Sequence, residues 1–230
     1  MPTIGSSAAG ETPVTPSVRA QLLATEHWSL LASRTTTQNE VLTRIAIFLT
    51  IVSAGLVSLA LVGQATKFSD AFLVFAVVVL GFVILIGVLT EFRVRSVSME
   101  DLMYVLAMNR LRAAYTQIDP GIGPYLMASV HDDLMGSQQT YDFLAHRRSF
   151  SHVAGSTMVF IAAVNAALVG LFVAGIAAIW GAHLAVIVTV GALLGGVYLI
   201  ASITIGARKY FEFWKRYVPH NPSPEVVEPR

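Results

Sequence analysis

Two features of this 230-residue chain have residue types suited to chemistry. The first is His131-Asp132-Asp133, followed by Asp142 and His146, which resembles a divalent-metal set. Successive helical residues point about 100° apart, so Asp132 and Asp133 cannot both reach one ion without a second segment. The His-Glu-x-x-His spacing that puts two ligands on one helix face is absent. A solvated helix face is the expectation for these residues, with no metal and no cofactor, and Glu26-His27 is read the same way. A metal-dependent membrane enzyme using His131, Asp132 and Asp133 is kept as the third functional alternative. The second feature is Asn165, a lone amide in a long apolar stretch. It suits a hydrogen bond between helices or, in a homo-oligomer, a polar ring lining a pore. Thr157, Thr189, Ser202 and Thr204 could join either arrangement, although hydroxyls commonly satisfy their own helix backbone. No Gly-x-Ser-x-Gly, P-loop or Gly-x-Gly-x-x-Gly is present, and zero Cys excludes thiol chemistry and disulfides.

The elements around these residues belong to a membrane. Hydrophobic residues make up 55% of the chain and charged ones 13%, with mean hydropathy +0.66. A water-soluble domain carries roughly twice that charge. Residues 45–66, 71–90 and 149–207 contain no Asp, Glu, Lys or Arg. A bilayer core needs about 20 helical residues, so the first two stretches each give one span. The third gives two, turning at Trp180-Gly181-Ala182-His183. The expected fold is all-α and polytopic: four transmembrane helices in two hairpins, with cytosolic helical extensions.

Basic residues orient the spans. Fourteen Lys and Arg lie before span one, between spans two and three, or after span four, and only Lys67 lies on the other side. Cytoplasmic segments collect such residues, which places both termini in the cytosol of a bacterial inner membrane. The expected organisation is a disordered leader (1–16), a cytosolic helix (17–44), a first hairpin (45–92), a cytosolic helical region (93–148), a second hairpin (149–207), an interfacial helix (208–218) and a disordered tail (219–230). Within the middle region one helix should run to Asp119-Pro120-Gly121. It is either capped afresh at Ser98 or continuous with span two. A second helix should follow from Pro124 to about Gln138, with the chain after it leading helically into span three.

Small residues four apart, Ala162, Ala166, Gly170, Ala174 and Ala178, form a groove on span three. Gly191 and Gly195 form a matching pair on span four, and such faces allow close backbone approach. Span two is bulky on nearly every side and is expected to face lipid. Trp180, Arg208, Lys209, Trp214, Lys215 and Arg216 fit anchors at the headgroups; the cation–aromatic mix continues a membrane helix, so no nucleic acid is expected. Glu91, with Arg93 and Arg95 at the inner end of span two, is read as interface charge.

The stretch Glu26-His27-Trp28-Ser29-Leu30-Leu31-Ala32-Ser33-Arg34, with Asn39-Glu40, Met108-Asn109-Arg110-Leu111-Arg112 and His131-Asp132-Asp133, resembles an uncharacterised family of small bacterial integral-membrane proteins over about residues 20–145. The layout is also similar to that of SLATT-type membrane effectors, from which four spans instead of two depart. These resemblances imply no activity and carry no functional residue across. The function expected from the residues is that of a non-enzymatic homo-oligomeric membrane protein forming a channel or pore. The alternative is a scaffold or sensor binding a cytosolic partner through residues 98–150.

Overall fold

With no proline between Pro16 and Pro120, nothing removes a backbone donor from two long stretches of helix-compatible sequence. In the computed structural model, which describes residues 15–142 and 156–224, both stretches form unbroken rods. Helix α1 runs Pro16–Ala65 and α2 runs Asp70–Ile118. At 1.5 Å per residue each is about 75 Å long, more than twice a bilayer core. The β-branched run Thr35-Thr36-Thr37 does not interrupt α1. The hydroxyls of Thr35 and Thr36 donate to Leu31 O and Ala32 O at 2.9 and 3.0 Å, so they bond back onto their own helix. Ser98 does the same, donating to Val94 O at 2.9 Å. It lies inside a continuous rod and caps nothing.

Asp119 ends α2, and its side chain accepts from Gly121 N at 2.8 Å. The expected helix from Pro124 to Gln138 does not form. A 3-10 turn covers Pro120–Tyr125, residues 126–133 are non-helical, and α3 covers Leu134–Asp142. Distant partners take the backbone that a helix through 131 and 132 would use: Asn109 Nδ2 donates to His131 O at 2.8 Å, and Asp132 N donates to Asn221 O at 3.2 Å. Helix α4, Thr157–Ile179, begins at Ser156, whose hydroxyl accepts from Val159 N. Helix α5 runs Leu184–Arg216. Between them Gly181, at φ +69°, makes the expected turn. The leader residues 1–14, the lead into span three at 143–155 (with His146, Arg147 and Arg148) and residues 225–230 lie outside the described residues.

The four long helices are apolar enough to cross a membrane, and the described residues contain no strand. Helix α1 packs on α2, α2 on α4, and α4 on α5. Helix α2 is thus central and not a purely lipid-facing helix: Leu80, Val83 and Gly87 are buried, and only the opposite side, with Val78 at 66% exposure, is open. Phe48 and Ile45 of α1, Leu80 and Val83 of α2, and Ile161 and Leu168 of α4 belong to one buried cluster. The outer faces keep large apolar side chains uncovered by protein, as at Ile200 and Phe82. Apolar area on that scale fits helices that cross a membrane.

Candidate functional site

Glu91 sits one residue beyond the charge-free stretch 71–90 and is 2% exposed. It faces the neighbouring helices rather than the surface of the chain. Helix periodicity puts Gly87 and Arg95 one turn either side of it. The absence of a side chain at Gly87 leaves room for Asn165 of α4: a Cβ there would collide with Asn165 Oδ1 and lie 2.9 Å from the Phe48 ring. Asn165 Nδ2 donates to Glu91 Oε2 at 2.8 Å, and Tyr198 OH of α5 donates to the same oxygen at 2.7 Å. The other oxygen accepts from Arg95 and from the Ser202 hydroxyl. Arg95 also donates to Ser202 Oγ and O at 2.8 and 3.2 Å.

An ionised carboxylate offers about four acceptor positions, and four donors meet it here. A buried charge is costly unless paired and hydrogen-bonded, and this one has both kinds of partner. The network joins α2, α4 and α5, while Phe48 of α1 closes the side at Gly87. Asn165 Oδ1 is buried without a hydrogen-bond partner among the described residues. Asn165 is therefore an intrachain hydrogen-bonding residue, 0% exposed, and its side chain is not presented to a neighbouring copy.

The small-residue faces also meet within the chain. A Cβ on Gly195 would lie 2.7 Å from Ala166 O, and one on Gly191 would lie 2.8 Å from Gly170 O and 3.2 Å from Ala174 Cβ. Ala162 is fully buried; Ala174 and Ala178 are half-buried further along α4. Of the anchor residues, Trp180 is 84% exposed at the α4–α5 turn. Arg208, Lys209, Lys215 and Arg216 are exposed near the end of α5, where Trp214 packs edge-on against Tyr210, Phe213 and Tyr217.

His131, Asp132 and Asp133 form no solvated helix face. Asp132 is fully buried. It accepts from Arg110, from Tyr217 OH at 3.1 Å, and from the backbone N–H of His220 (2.9 Å) and Asn221 (2.7 Å). Asp133 accepts from Ser223 N and Oγ at 2.6 and 2.9 Å and from Gly136 N at 2.7 Å. The described part of the tail beyond Pro219 is therefore strapped onto the segment after α2, where sequence suggests disorder. Burial works to raise the Asp132 pKa, but the His220 and Asn221 amides, Arg110 and Tyr217 outweigh it and hold the carboxyl down at about 2. Its oxygens are taken up by N–H and O–H donors. No group of three or more metal-ligating side chains suited to an ion occurs among the described residues. His27 is likewise not merely solvated: its ring stacks on Tyr115, centroids 6.1 Å apart.

A third group lies where α1, α2 and α3 meet. Arg34 Nε and Nη2 donate to Asp101 at 2.6 and 3.1 Å, and Gln38 and Tyr141 donate to the same carboxylate at 2.7 Å. Glu40 of α1 pairs with Arg93 of α2 at 2.8 Å. These contacts fasten the polar ends of α1 and α2 to each other. Sequence reasoning missed the Glu91 network and the Arg34–Asp101 group. Signals for the first were the four-residue spacings Gly87–Glu91–Arg95 and Tyr198–Ser202, which place polar groups on single faces of otherwise apolar helices. No local spacing signalled the second. Comparison with protein-family models, curated proteins and solved structures gives no match to this chain.

Proposed function

We propose that the protein is a multi-pass sensor or scaffold of a bacterial inner membrane. In this reading α1–α2 and α4–α5 form two membrane hairpins. Both termini and the polar module built from the ends of α1 and α2, α3 and the docked tail lie in the cytosol, where the module holds a ligand or partner. One observation carries the proposal: α1 and α2 run unbroken from apolar segments into the polar module. A rigid rod transmits displacement along its length. The Glu91 network supports the same reading, because it ties α2 to α4 and α5 just where the charge-free segment ends. The buried, hydrogen-bonded position of Asn165 speaks against a pore lined by that residue.

Reconstituted protein tests the proposal directly. Liposomes should show no ion flux above the lipid background, and Glu91→Gln should alter amide hydrogen exchange across residues 129–141. Conductance that Asn165→Leu changes would replace the sensor with a channel. Exchange unaffected by Glu91→Gln would remove the coupling. Since the chain has no cysteine, Gly121→Cys reports topology: an impermeant thiol reagent should label it only after the cells are opened.

Homo-oligomerisation is a second reading, favoured by an apolar groove of about 580 Å³ on the α4–α5 face. Ala167, Ala192 and Gly196 line it, and a Cβ on Gly196 would meet nothing within 4 Å. A second copy offering the same face would bring helix backbones close.

A further inference from the structure

A cavity of about 330 Å³ lies between α1, α2, α3 and the segment after the 3-10 turn. Two guanidiniums line it, Arg34 and Arg112, together with Met108, Met127 and the rings of Tyr125 and Tyr141. The two cations differ. Arg34 is neutralised by the Asp101 carboxylate. Arg112 is not: Nη1 donates to Asn109 Oδ1 at 2.6 Å, a neutral acceptor, and none of the ion pairs among the described residues includes it.

Asn109 is fully buried, and its own Nδ2 is engaged by His131 O and Gly136 O. Its oxygen is therefore held towards Arg112 and Thr140, whose hydroxyl donates to it at 3.0 Å. Arg112 is braced from behind by a fixed amide, on the wall of a cavity and without a counter-charge among the described residues. Burial and the positive charge of Arg34 both push its pKa down. A guanidinium has five donors in a planar fork that matches phosphate oxygens, and a half-buried cation is stabilised by an anion that uses them.

Size and position define the ligand further. About 330 Å³ lies at the low end of the range for small-molecule sites and exceeds what a bare ion needs. The tyrosine and methionine lining suits a planar or apolar group. Arg34 precedes Ile45 by eleven residues and Arg112 follows Phe92 by twenty; at 1.5 Å per residue the cavity lies about 15–30 Å beyond the apolar segments. A lipid headgroup does not reach that far.

We propose that this cavity binds a soluble phosphorylated small molecule of nucleotide size, with Arg112 pairing the phosphate and Asn109 acting as its positioning residue. The inference rests on the reading of this end as the ligand-holding module.

Full-length protein in nanodiscs of zwitterionic lipid, titrated calorimetrically with AMP, phenyl phosphate and inorganic phosphate, tests it. AMP or phenyl phosphate should bind more tightly than inorganic phosphate, and adenosine should not bind. Arg112→Gln should weaken binding about tenfold or more, the worth of one charge-assisted hydrogen bond. Arg112→Lys should weaken it by less, because it keeps the charge and loses the fork. Arg216→Gln, outside the cavity, should bind as the parent does. Should Arg112→Gln fail to fold, Arg112→Lys decides. No binding by any of the three phosphates, affinity unchanged in Arg112→Lys, or binding only in nanodiscs of anionic lipid overturns the site. Binding that leaves hydrogen exchange near Glu91 unmoved would keep the site and remove the sensor.

Discussion

Gly170 and Gly191 face each other across α4 and α5 so closely that a Cβ on either would lie within 2.9 Å of the other's carbonyl oxygen. No side-chain rotation relieves a contact with backbone. Gly170→Leu should therefore separate the helices and destabilise the protein by about 3 kcal/mol or more, read as a lower melting temperature in detergent. Gly196→Leu is the contrast. Open space surrounds that position, so the monomer should melt as before while any oligomer built on the α4–α5 groove dissociates. An unchanged melting temperature for Gly170→Leu would show that the two helices do not approach as described.

Removing the charge at Glu91 should be among the most damaging single changes in the chain. Glu91→Ala leaves Arg95, 10% exposed at its side chain, without its counter-ion. Breaking a buried pair on one side costs about 3–5 kcal/mol. Replacing both partners, Glu91→Leu with Arg95→Leu, should recover much of that loss, because no buried charge then remains unpaired. If the double variant is as unstable as Glu91→Ala alone, the hydrogen bonds from Asn165, Tyr198 and Ser202 matter more than the charge.

Much of the fold was legible because it depends on local pattern. Charge-free length marked the apolar segments, Asp119-Pro120-Gly121 marked the end of α2, and Trp180–His183 marked the turn. The sites were legible only in pieces. Asn165 stood out as polar in an apolar helix, but its acceptor Glu91 lies 74 residues away in the chain and reads locally as a boundary charge. Asp132 showed the converse. Its donors His220 and Asn221 follow Pro219 in a proline-rich stretch that looks disordered by composition, since composition does not reveal a distant carboxylate that binds backbone N–H groups. The bulk of span two suggested lipid, yet Gly87 and Ala76 mark the face that packs inward.

The docked tail should respond to acid through Asp132. Its carboxyl titrates at about 2 when folded, against an ordinary value of 3.8. A group depressed on folding stabilises the fold above its ordinary value, and that contribution fades as pH falls through the lowered one. The difference is worth about 2 kcal/mol. The part of the strap that Asp132 holds, at His220 and Asn221, should therefore stay closed at neutral pH and loosen between about pH 4 and pH 2. Amide exchange at His220 and Asn221 reads this directly, because both N–H groups are bonded to the carboxylate. Asp132→Asn removes the charge while keeping the shape. In that variant the two amides should exchange faster at pH 7 and lose their own acid-dependent step, while Ser223 stays bonded to Asp133. Equal protection in parent and variant at pH 7 would mean that the backbone pairing of Asp132 N with Asn221 O, at 3.2 Å, holds the tail without the carboxylate.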